Sequence, residues 1–427
     1  MTAPSGGYVR AVGRWQLVGL SINDVIGSGI YLLPAATVAL MGAYSAWAVL
    51  LAGAVVTLLV LCYAQAAAYF DQAGGSYLYA REAFGPFAGF QIGWMLWLTR
   101  IASAAALSNG LAAALAHFHP AAGEGAWRVL IVVASLGLLT AINLIGVRSA
   151  ARTGVALAIA KLVPLLVFVA VGLAHVDWHL ALPPLDVPPL HNLGEAALLL
   201  LFAYAGFENA PAAAAEYRNP RRELPFALMV MVATVTAVYV SVQLVAQGTL
   251  PGLAASKTPL ADAAAGFAGH WAALLLTFGA VVSILGTNSN TMMFGPRYLQ
   301  ALAADGYGPR RLAALHPRFH TPAAAIGLQF AVALVLALSG SFVGLAVLST
   351  ITRLLAYIGT AGAVIRLQRR HAGRSDAWRL RGGALVPAAA LLLSLALLAS
   401  ASWQSLLAVA VAFAVGALIY RFRRTPS

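Results

Sequence analysis

Five ionisable side chains, Asp24, Arg100, Lys161, Glu208 and Arg353, lie inside long apolar runs of this chain. A charge at mid-bilayer costs about 2.5–3.5 kcal/mol on insertion scales, so such residues persist where they are paired or functional. Two of them flank glycine-marked breaks. Asp24 stands just before Gly27-Ser28-Gly29, and Glu208 closes the stretch Phe202-Ala203-Tyr204-Ala205-Gly206-Phe207-Glu208. Glycine lets the backbone leave the helical region and lets a ligand come close. Unwinding frees N–H and C=O groups that lipid cannot satisfy, so they must face protein, water or a ligand. The N–H groups heading the half-helix after the first break suit an anion such as a carboxylate. Small-residue helix packing is the other use of the same glycines. Carbonyls freed at the second break suit an ammonium. Phe202 either closes over that ligand or fills a core.

The charges have two readings each. Glu208 is a functional charge, or a protonated group latching two helices that could also carry a proton. Lys161 snorkels to an interface, or its ammonium braces the broken first helix where a sodium ion would otherwise stand. Asp24 points at the ligand, or pairs with an in-membrane cation such as Arg100. Arg100 and Arg353 are read as paired or snorkelling, with no chemistry assigned. Asn288, Ser289, Asn290 and Tyr357 line a cavity or bond between helices.

The elements that must position these residues follow from composition. The 427-residue chain is 61% hydrophobic and 9% charged, against roughly 25% charged for soluble domains. Apolar runs predict an all-α polytopic membrane protein with twelve spans, over 15–40, 44–69, 84–116, 127–146, 153–175, 194–216, 225–249, 268–303, 322–340, 342–366, 384–400 and 402–421. The broken spans come first, and the long spans third, in two sets of five. That pattern predicts one transporter domain over 1–427. Its repeats are 15–175 and an inverted 194–366, with discontinuous first and sixth helices and two extra helices over 384–421. Most Lys and Arg outside the spans fall on the side of the N-terminus, and only Arg128 and Lys257 fall opposite. The positive-inside rule therefore places both termini in the cytoplasm. The net charge of +13 is thus a topology signal with lipid contact, not a nucleic-acid footprint. Cys62 is the only cysteine, so no intrachain disulfide is expected. No cleavable signal peptide, phosphate-binding loop, metal-ligand cluster or nucleophile–base set is legible. Neither an enzyme nor a cofactor is expected.

The ordered motifs resemble amino-acid permeases of the amino acid–polyamine–organocation (APC) superfamily. They are Ile26-Gly27-Ser28-Gly29-Ile30-Tyr31-Leu32-Leu33-Pro34, the Phe202–Glu208 stretch, Ala215 through Pro225, and Pro296-Arg297-Tyr298 through Thr321-Pro322. The resemblance runs from the first span through the tenth. It implies that Ser28, Gly29 and Ile30, with Ile26 and Gly27 beside them, hold an amino acid's carboxylate. It implies that carbonyls near Phe202, Ala203 and Ala205, with Gly206, hold the amino group. Phe202 would be the occluding gate, often a tryptophan in relatives. Glu208 matches an acid linked to proton sensing. Lys161 matches the lysine that replaces a sodium site. Asp24 departs from the pattern and favours a cationic substrate.

The expectation is a sodium-independent secondary amino-acid transporter of the bacterial inner membrane, a monomer or homodimer, driven by proton symport or exchange. A polyamine or organic-amine exchanger on the same fold, and a non-transporting nutrient receptor, are the alternatives.

Overall fold

The computed structural model describes residues 12–70, 74–145, 150–182, 190–319, 321–371, 378, 380 and 382–422. Of the basic residues that set the orientation, Arg10, Arg148, Arg374, Arg379, Arg381, Arg423 and Arg424 lie outside the described residues.

Helices dominate the described residues. The first half holds α1 (Arg14–Val25), α2 (Gly29–Met41), α3 (Ser45–Ala67), α4 (Gly75–Phe84), α5 (Pro86–Leu115), α6 (Gly125–Ile145), α7 (Ala150–Gly172) and the short α8 (Trp178–Ala181). The second half holds α9 (Leu190–Ala203), a 3-10 helix over Phe207–Glu216, α10 (Pro220–Thr249), α11 (Pro259–Ala268), α12 (His270–Ala304) and the short α13 (Arg310–Ala313). It ends with α14 (Ala323–Ser339), α15 (Phe342–Arg370), α16 (Leu385–Ala399) and α17 (Trp403–Arg421).

Eight helical stretches among the described residues are long and apolar enough to cross a membrane, and three shorter apolar helices accompany them. The count is below twelve for a physical reason. At 1.5 Å per residue, a 30 Å hydrocarbon core needs about 20 residues. The 12 residues of α1 fall short of that alone, α2 and α3 count as one stretch over Gly29–Ala67, and Asn192–Ala203, Ala323–Ser339 and Leu385–Ala399 are the three shorter helices.

Two boundaries differ from the sequence expectation. The third span does not begin at 84, because Gly85 adopts φ +97° and Pro86 starts a new helix. The expected 194–216 span is α-helical only to Ala203 and leaves its break as a 3-10 helix.

The centre of the fold is α5, which packs against α12 and α15, while α3 packs against α10. Ala104, Ala105 and Ala106 are fully buried on α5. Small residues there let neighbouring backbones approach, which is how membrane helices gain dispersion energy without a hydrophobic drive.

Candidate functional site

The first helix ends at Val25 and restarts at Gly29; the second ends at Ala203 and leaves its break through Gly206 at φ +132°. The two breaks touch. A Cβ placed on Gly29 would lie 2.5 Å from Ala203 Cα, and one placed on Gly206 would lie 2.4 Å from the Asp24 carbonyl oxygen. Each interruption therefore needs a glycine because the other's backbone occupies the space. Tyr239 of α10 ties both, its hydroxyl donating to Ala203 O at 3.0 Å and Val25 O at 3.4 Å. The start of α1 also meets the end of the 3-10 helix. Val12 and Tyr217 form a bridge, and Arg218 N–H donates to Val12 O at 3.1 Å. The two interrupted segments thus run in opposite directions where they cross.

The first break is asymmetric. Its freed carbonyls are taken by side chains. Lys161 of α7 donates to Asn23 O at 2.9 Å, Ile26 O at 3.0 Å and Thr287 Oγ1 at 3.0 Å. Ser283 of α12 donates to Ile26 O and Gly27 O, both at 3.1 Å. Lys161 also reaches the far arm, since its own carbonyl accepts the Tyr31 hydroxyl at 2.9 Å. On the other side of the break nothing is taken. Tyr31 and Leu32 N–H return to Ser28 O, but the N–H groups of Ser28, Gly29 and Ile30 meet no acceptor among the described residues. The buried Ser28 Oγ has no partner either. A helix N-terminus with open donors favours an anion. Replacing Lys161 with methionine keeps the volume and leaves the Asn23 carbonyl unpaired. Charged hydrogen bonds contribute about 1.5–3 kcal/mol each, so we expect a lower melting temperature and at least ~10-fold weaker ligand binding. Thermal unfolding and equilibrium binding check this; a variant unchanged in both would make Lys161 a passive residue.

The second break is less open than the sequence suggests. Phe202 O accepts the Ala205 N–H at 3.2 Å, and Ala203 O accepts Tyr239. Ala205 O accepts nothing among the described residues. Glu208 is buried and folded back on its own break. Its Oε2 accepts the Gly206 N–H at 2.9 Å and the Tyr357 hydroxyl at 3.2 Å. Its Oε1 lies 2.9 Å from Arg353 Nε and 3.5 Å from Arg100 Nη2. Arg100 also donates to Asn209 Oδ1. Phe207 stacks on Tyr357 at 5.2 Å and meets Tyr63 edge-on at 5.3 Å, which keeps water from this cluster. Asp24 therefore does not ion-pair with Arg100. Its Oδ1 accepts Asn290 Nδ2 at 2.5 Å instead.

Between the breaks lies a cavity of about 30 Å³, with Asp24, Ser28, Arg100, Phe202, Ala205 and Arg353 in its wall. Of the remaining expected site residues, Gly27, Gly29, Ala203 and Gly206 also reach the wall. Ile26, Ile30, Lys161 and Glu208 stand behind it, bracing the breaks. The space admits about one or two waters, so a ligand enters only as the walls part. Phe202 meets Phe342 edge-on at 6.0 Å. Phe342 also lines a second cavity of about 530 Å³, together with Arg128 and Glu124. There the Lys257 ammonium, 2.7 Å away, holds the Glu124 carboxyl below its usual range.

These features define a membrane-embedded helical protein whose two interrupted helices cross at a buried, charged site. The chain belongs to the amino acid permease family of the APC superfamily, whose family profile matches residues 12–426. It is similar to the serine/threonine exchanger SteT of Bacillus subtilis (strain 168), 29% identical over 88% of each chain. It is also similar to the branched-chain amino acid permease BcaP of that organism, 26% identical over 96% of this chain and 92% of the relative. The methylthioribose transporter of the same bacterium is 28% identical over 97% of this chain and 94% of its own.

Sequence reasoning assigned no chemistry to Arg100 and Arg353 beyond pairing or snorkelling, although the two share the Glu208 carboxylate. It also passed over Ser283, Thr287 and Tyr239. Ser283, Thr287 and Asn290 recur at helical spacing, and that polar stripe on an otherwise apolar helix was the available signal.

Proposed function

We propose that this protein is a sodium-independent secondary transporter of amino acids that works by alternating access in the bacterial cell membrane. One observation carries the reading: two oppositely running breaks touch, with open N–H donors at Ser28–Ile30 on one and an open carbonyl at Ala205 on the other. Those groups match the two ends of a zwitterion. The antiparallel crossing supports the inverted five-helix repeats over 15–175 and 194–366. Pairing the short arms into whole spans supports twelve crossings in a single domain, with cytoplasmic termini following from the basic loops. Sodium independence rests on the Lys161 ammonium, which already fills the carbonyl cluster of Asn23 and Ile26. The names of the relatives, an exchanger of serine and threonine and a branched-chain permease, support amino acids as the cargo. Coupling is by exchange or by proton symport.

Reconstitution into liposomes tests this. Uptake of at least one labelled α-amino acid is expected, undiminished when choline replaces sodium. Preloading with unlabelled substrate separates exchange from uptake driven by an inward proton gradient. A strict sodium requirement would end the Lys161 account. Transport of amines that lack a carboxylate, with no amino acid carried, would overturn the reading, because the donors at Ser28–Ile30 would then have no ligand.

A further inference from the structure

We infer that the amino acid carried by this site has a second anionic group on its side chain, received by Arg353 and Arg100. The inference rests on the transporter reading above and adds the substrate class to it.

The first ground is unused donors. Arg100 and Arg353 are 3% and 2% exposed, and both stand in the cavity wall. A guanidinium presents five N–H donors in a planar fork. Glu208, Asn209 and Ser103 take some of them. Arg353 Nη1 and Arg100 Nε take no acceptor among the described residues. Leaving a buried charged donor unpaired is costly, and both residues that carry these donors line the cavity.

The second ground is charge. Around the cavity stand three formal cations, Arg100, Arg353 and Lys161, and two formal anions, Asp24 and Glu208. With Lys161 protonated, one positive charge is in surplus. A neutral zwitterion leaves that surplus buried, whereas an amino acid with net charge −1 cancels it. Coulomb energy in a site screened from water makes this difference large.

The third ground is division of labour. The α-carboxylate has its own donors at Ser28–Ile30, so the guanidiniums are not needed for it. Asp24 opposes a purely anionic ligand, yet it lies beside Gly206, its own carbonyl against that glycine. Asp24 and Ala205 line the same cavity, so its carboxylate joins the Ala205 carbonyl as a group that suits an ammonium. Arg353 Nη2 is steadied by Ser103 Oγ at 3.2 Å, and a fork held in this way suits a carboxylate.

The test is competition uptake in liposomes with aspartate, glutamate, asparagine, glutamine, serine, threonine, leucine and valine. An acidic amino acid is expected to outcompete its own amide by ~100-fold, since a site with buried charged donors rejects analogues that leave them unpaired. Pairing Arg353→Gln with Glu208→Gln removes one cation and one anion together and so preserves charge balance. That double variant is expected to reduce the acid-over-amide ratio at least tenfold. If it does not fold, Arg353→Lys keeps the charge without the fork and is expected to lower the ratio in the same direction. Equal or better uptake of serine, threonine, leucine or valine would overturn the acidic class and leave the transporter reading intact. A ratio unmoved in the variants would equally remove Arg353 from recognition. Uptake of none of these eight would overturn the acidic class, and uptake of no amino acid at all once basic and aromatic ones are added would overturn the transporter reading itself.

Discussion

Gly29→Ala is expected to reduce uptake by at least ~100-fold at equal amounts of reconstituted protein. The added methyl would sit 2.5 Å from Ala203 Cα and 2.6 Å from its Cβ. The first of these is backbone, which cannot rotate away, so the two interrupted helices must separate. Overpacking of this kind costs about 1–3 kcal/mol in ordinary cores. Here the displacement also pulls the Ser28–Ile30 donors from the groups facing them, and a misplacement near 1 Å can cost ~100-fold by itself. Gly137→Ala in α6 is the matched control. Nothing lies within 4 Å of the methyl it would add, so uptake within twofold of the parent is expected. Size-exclusion profiles of the detergent-extracted proteins would separate misfolding from lost function. A Gly29→Ala protein that transports like the parent would remove the crossing from the account of binding.

Glu208→Gln is expected to be the most destabilising isosteric change in the site. The amide fills the same volume but cannot neutralise Arg100 and Arg353, both almost fully buried. Removing one partner of a buried ion pair costs about 3–5 kcal/mol, because the other charge stays buried. A fall in melting temperature of several degrees follows for a chain of this size. Adding Arg353→Gln should recover part of that loss, and a double-mutant cycle gives the coupling between the two. Circular dichroism melts in detergent supply the measurement. An unchanged melting temperature for Glu208→Gln would mean that the carboxyl is already neutral in the parent, the protonated-latch reading of the sequence.

Much of this arrangement was legible before any coordinates. Gly27-Ser28-Gly29 and Gly206 announced the interruptions, because glycine is the residue that leaves a helix without strain and admits a close neighbour. Lys161 had two readings, snorkelling or an ammonium in the place of a sodium ion at the first break, and its contacts with Asn23 O and Ile26 O favour the second. What resisted reading was pairing across distant spans. Asp24 and Glu208 were both free to claim Arg100, and apolar periodicity does not say which helix faces which. The 3-10 course of Phe207–Glu216 was equally hidden, as was the return of Glu208 to the Gly206 N–H. The occupied carbonyl of Ala203 depends on Tyr239, which looked like one more aromatic in an apolar run, and that of Phe202 on a local turn closed by the Ala205 N–H.

Lys161 holds the α1 side of the first break through its ammonium and the α2 side through its main-chain oxygen. If α1 swings out while α2 stays, the joint that must part is the one made by the ammonium. A shift in shape at this joint is then also a shift in how far one charge stands from water.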